Sequence, residues 1–136
     1  MLQGRYGVTG WRRQIRLEAY TKWLDAAHDF DSLLFEVLST ISISNFDKRR
    51  KEIIESYTRL QIAVTRAAIA GPKRVDTELS FILRTIGGII TDSQDRDMFM
   101  SIVHDWRKDR SYDKWVAWME SAEKLPTFMR IILKTE

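Results

Sequence analysis

The chain has 136 residues, 44% of them hydrophobic and 30% charged, with six glycines, two prolines and no cysteine. That apolar content excludes a disordered chain, the low glycine count excludes a fibrous one, and a chain of this length buries roughly two thirds of its unfolded surface in one core. Lys+Arg of 22 against Asp+Glu of 19 leaves a net charge of +3, short of the clustered excess typical of a dedicated phosphate binder.

A single domain over 1–136 is expected. Without cysteine there are no disulfides, thiolate metal sites or cysteine nucleophiles, and the default compartment is the cytoplasm. The longest nearly uncharged run, Val37 to Phe46, holds Ser39, Thr40, Ser42, Ser44 and Asn45, well short of the roughly 20 apolar residues that span a bilayer. No secretory signal is expected in Met1 to Gly10.

In chain order, Gly4 to Gly10 contains three glycines and reads, within residues 1–10, as a flexible lead-in. Thr9 or Gly10 is expected to cap a long helix starting near Trp11. Leu17, Tyr20, Leu24, Ala27, Leu34, Leu38 and Ile41 recur three and four apart, with Asp31 in the one unfilled slot, and Ile15, Ala19, Trp23, Ala26, Phe30, Leu33 and Val37 run beside them. Two adjoining stripes suit a helix in a bundle. Ser42 to Asn45 ends it, with Asn45 placed to cap the next helix.

That second helix is expected over Phe46 to Ala70, with Phe46, Ile53, Tyr57, Leu60, Val64 and Ala67 inward and Arg50 in the missing slot; Gly71-Pro72 stops it. A third runs from Asp76 to Thr91, with Gly87-Gly88 read as a point of close helix approach. Asp92 or Ser93 is expected at the next N-cap, ahead of Met98, Phe99, Ile102, Val103 and Trp106. Arg107 to Ser111 interrupts the apolar line before a helix from Tyr112 to Lys124, and Leu125-Pro126 breaks the chain before a short apolar end, Phe128 to Leu133. Nothing alternates with period two. The expectation is all-α: a four-helix bundle built on a long antiparallel helical hairpin, with the C-terminal segment as a short fifth helix.

Candidate chemistry is sparse. The two histidines stand in His28-Asp29 and His104-Asp105. The dipeptide resembles the ligand pair of the helical phosphohydrolases named after it, whose metal sites also need further histidines and aspartates. Neighbours on a helix also point about 100° apart. No metal, cofactor or catalytic residue is assigned, and the chain is read as a non-enzyme. Asp31, on an apolar line, needs a partner; a hairpin turning near Ser44 brings it level with Tyr57, and a buried Asp31–Tyr57 pair is expected.

Arg5, Arg12, Arg13 and Arg16 lie in an acid-free front with Tyr6 and Trp11. Arg12, Arg13 and Arg16 are the candidate anion-binding set, for nucleic acid or an anionic surface. Tyr112, Trp115, Trp118, Met119 and Phe128 make the C-terminal third rich in apolar surface, and are the candidate contact of a homo-oligomer or partner protein. The functional expectation is a non-enzymatic, self-associating interaction or scaffold module, with nucleic-acid or anionic-surface binding as the alternative.

Overall fold

A computed structural model describes the backbone of residues 2–71 and 75–134 and the side chains of 10–71 and 78–134. Five helices account for it: α1 (Leu2–Thr40), α2 (Phe46–Ala70), α3 (Val75–Asp92), α4 (Arg96–Asp109) and α5 (Asp113–Lys134). Among the described residues there is no strand, and no helix is long and apolar enough to cross a membrane.

The 39 residues of α1 make a rod of about 58 Å. It starts at Leu2 instead of near Trp11, so neither Thr9 nor Gly10 is a helix cap. Its buried positions are Tyr20, Trp23, Ala27, Phe30, Leu34, Val37 and Leu38, and Ile41 just past its end continues the line. They form one stripe, three and four apart but for the adjacent Val37 and Leu38, that takes members from both lines read in the sequence. Leu17 falls outside it and is exposed. So does Asp31: the buried line runs through Phe30, and the aspartate stands at the boundary of the core.

α1 packs on α2, α5 and α4, and α3 packs on α2 and α5. Arg16 Nε donates to the carbonyl of Ala70 (2.7 Å). At the far end Arg49 holds Glu36 (3.0 Å), the Thr40 hydroxyl (2.6 Å) and Glu52. Arg107 of α4 reaches the last turn of α1, with Nε on the Leu38 carbonyl (2.9 Å) and a terminal nitrogen on that of Ile41 (2.6 Å). Arg16 and Arg107 thus satisfy carbonyls that a helix end leaves without intrahelical partners, where positive charge is also favoured by the dipole.

Asn45 precedes α2 but makes no side-chain cap. Its amide oxygen accepts from Ser42 N (2.7 Å) and its nitrogen donates to the Thr40 carbonyl (3.3 Å), which closes the turn. α3 runs unbroken through Gly87 and Gly88, and the aliphatic stem of Lys114 lies over Gly88. It also takes in Asp92, so the cap of α4 falls to Asp95, which accepts from Met98 N (3.1 Å). The charged run after Trp106 is a true break: Arg110 adopts φ 60° and ψ 31° as the C-cap of α4.

α5 continues through Pro126 to Lys134, so there is no separate C-terminal helix. An interior proline removes one backbone hydrogen bond and crowds the preceding turn, at about 3 kcal/mol. Here Leu125, Met129 and Ile132 are buried on either side of it. Three such side chains contribute about 1.5–3 kcal/mol each, enough to hold the helix together across the defect.

Candidate interaction surface

The aromatic C-terminal third is core. Trp118 is fully buried, Tyr112 nearly so, and Trp115, Met119 and Phe128 are half-buried against the core. Trp118 meets Phe30 edge to face at 5.4 Å, and Trp115 meets Trp106 at the same separation. Counting apolar residues on α5 alone suggested a surplus; α1, running the length of the molecule, supplies the surface that covers them. Tyr112 and Trp118 offer no contact to a second molecule.

Asp31 and Tyr57 do not pair. Asp31 accepts from Trp118 Nε1 at 3.2 Å, and the Tyr57 hydroxyl accepts from Gln61 Nε2 at 3.2 Å. Both residues are half-buried. They lie at similar heights but on different sides: Asp31 faces α5, whereas Tyr57 turns to α3, its hydroxyl 3.4 Å from where a Cβ on Gly87 would stand. A side chain's level along a hairpin does not determine which neighbour it faces.

Asp92, read as a cap, is instead the tie between α3 and α5. It accepts from the Tyr112 hydroxyl (2.6 Å) and takes Lys114 Nζ at 2.8 Å on both oxygens. Burial, and then this hydrogen bond, push the Tyr112 hydroxyl above its ordinary range. His28 and His104 are both exposed, one on α1 and the other on α4. Among the described residues no three His, Cys, Asp or Glu side chains are placed to hold a metal ion.

The anion-binding set divides. Arg12 and Arg13 are exposed, as are all of Gly10 to Gln14, and Trp11 is 63% exposed. Arg16 is committed to the end of α2. Since Arg16 stands at that end, the part of α1 before it outruns α2 by about 14 residues, or roughly 21 Å.

The feature that sequence reading missed is the outer seam of α1 and α2. A groove of about 430 Å³ there is lined by Lys22, Asp25, Ala26 and Asp29 of α1 and by Ser56, Arg59, Ile62, Ala63 and Arg66 of α2. Its floor is Ala26, Ala63 and Ser56, small residues that leave the seam concave. Its rim carries three cations and two carboxylates, all exposed, and none of the five makes an ion pair or side-chain hydrogen bond among the described residues. Ile62 and Ile69, on the same side of α2, are 49% and 81% exposed. The signal was present in the spacing: Arg59, Ile62, Arg66 and Ile69 recur three and four apart beside the core line. Other grooves run between α3 and α5, past Phe81 and Phe128, and between α1 and α5, past His28 and Asp31.

Comparison of the chain with protein-family models, with curated proteins and with solved structures finds no match.

Proposed function

We propose that the chain is a non-enzymatic interaction module: a four-helix bundle of α1, α2, α3 and α5 on an antiparallel α1–α2 hairpin, with α4 across its closed end. The cyclic order of helix contacts, α1 to α2 to α3 to α5 and back to α1, supports that arrangement. So do the two ties at opposite ends of the pair, Arg16 on Ala70 and Arg49 on Glu36. The interaction reading rests on one observation. The outer α1–α2 seam keeps five charged side chains without partners among the described residues, beside two exposed isoleucines, whereas the polar groups at the core boundary, Asp31 and Asp92, are engaged in holding helices together. Exposed apolar side chains rimmed by charge are the usual make-up of a contact surface.

A photo-cross-linking amino acid at Ile62 or Ile69 tests this inside cells, with the exposed Arg84 on α3 as the control position. Discrete adducts from the α2 positions and none from the control are expected. Equal labelling from both sides would refute the reading.

A second reading is favoured by the exposed start of α1. The acid-free first stretch of α1, carrying Trp11, Arg12 and Arg13 beyond the end of α2, suits a polyanion. Its test is binding to arbitrary duplex DNA that weakens with salt and with Arg12→Ala/Arg13→Ala. Arg16→Ala should instead act on stability, because that arginine is engaged with Ala70.

A further inference from the structure

Resting on the interaction reading, we infer that the occupant of the α1–α2 seam is a second copy of this chain, related by a two-fold axis lying along the groove. Unlike charges sit on opposite walls. Asp25 and Asp29 come from α1, and Arg59 and Arg66 from α2. Within one copy no ion pair forms between these four described side chains.

A two-fold axis parallel to the helices lays α1 of one copy over α2 of the other and preserves every residue's height. Arg16 is level with Ala70 and Glu36 with Arg49. Arg59 therefore comes level with the midpoint between Asp25 and Asp29, one half-turn from each, and Arg66 with the midpoint between Glu18 and Lys22. Each copy so presents a carboxylate pair to the arginine of the other, twice over, as an isologous interface requires. The alternative axis, across the helices, would set α1 on α1 and place acid against acid. Ile62 and Ile69 lie beside the pairs and would be covered with them. Two charges are mismatched: Lys22, half a turn from the level of Arg66, and the exposed Glu55, on the same line of α2 as Arg59, which comes within half a turn of Asp29.

Analytical ultracentrifugation of the purified chain tests this with three variants. All the substituted positions are exposed, and circular dichroism checks that each variant keeps its helices. The wild type is expected to be a dimer that loosens with salt, because rim pairs are screened. Asp25→Lys/Asp29→Lys alone and Arg59→Glu alone should each weaken the dimer about a hundredfold or more, since a reversal acts twice across the axis and turns attraction into repulsion. Mixing the two should restore a heterodimer, and Lys22→Glu should tighten the wild-type association. A monomeric wild type at about 100 µM, well above the micromolar Kd of a moderate interface, overturns the inference. So does a dimer indifferent to both reversals. Cross-linked adducts from Ile62 and Ile69 to a different chain would overturn the second copy while leaving the contact surface standing; an absence of face-specific adducts would remove both.

Discussion

Removing the Arg107 side chain should loosen the end of α1 that the turn to α2 depends on. Arg107 donates to the carbonyls of Leu38 and Ile41 at 2.9 and 2.6 Å, and the other side chain that reaches this terminus, Asn45, takes only the Thr40 carbonyl, at 3.3 Å. A hydrogen bond from a charged donor contributes about 1.5–3 kcal/mol when buried. Arg107 is largely exposed, so both bonds together with the favourable charge at the helix C-terminus come to about 2 kcal/mol. With a urea m-value of about 2 kcal/mol/M, Arg107→Ala should lower the unfolding midpoint by about 1 M at unchanged slope. Arg107→Lys should recover about half or less, because a single ammonium cannot fork between two carbonyls. An Arg107→Ala midpoint within about 0.2 M of wild type, which is a few tenths of a kcal/mol, would refute the capping account, and so would a fully restored lysine variant.

Four further outcomes are expected, each measured by thermal or urea unfolding. Gly71→Ala should destabilise by about 1–3 kcal/mol, because its Cβ would strike the Tyr20 hydroxyl and come 2.9 Å from the Ala67 carbonyl, backbone that has no room to yield. Gly87→Ala should stabilise by about 0.5–1 kcal/mol, since it meets only the Tyr57 hydroxyl at an ordinary 3.4 Å inside a continuous helix. Tyr112→Phe should cost about 1 kcal/mol near neutrality. Because the fold raises that hydroxyl's pKa, its contribution is present below about pH 10 and lost as pH rises beyond it, so the gap between variant and wild type should close in alkali. Arg110→Ala should be less stable than Arg110→Gly: both lose the guanidinium stacked 3.9 Å over Trp106, but only glycine escapes the left-handed backbone at φ 60°.

The helical class was legible because three-and-four spacing survives any choice of partner. Which residues close the core was only partly legible, and Asp31 is the instructive case. Two adjacent apolar lines on α1 fit the sequence equally well, and taking one of them made the aspartate look like an interruption needing Tyr57. The buried stripe switches between the lines, passes through Phe30, and leaves Asp31 at the boundary where Trp118 of α5 can reach it. On α2 the same shift puts Ser56 inside and leaves Tyr57 half-out. Proline misled in the opposite direction: Leu125-Pro126 reads as a stop locally, but burial of Leu125, Met129 and Ile132 outweighs one missing hydrogen bond.

The same physics explains why the α5 tryptophans are core. Tryptophans on α5 were read as surplus because one short helix cannot bury them, yet the surface available to them is set by α1, whose 39 residues run past α2, α4 and α5. Once Phe30 and Phe35 of α1 have met Trp118 and Trp106, both tryptophans are fully buried. What the α1–α2 seam leaves outside is two of the exposed apolar side chains, Ile62 and Ile69, and a set of charges that form no ion pair with one another among the described residues. Carboxylates on one helix and guanidinium groups at matching heights on its neighbour attract only weakly across a wet groove, and a surface with the same arrangement turned over offers each of them a direct partner. The proposed self-association therefore depends on charge placed along two helices, and not on the aromatic residues that composition brings forward.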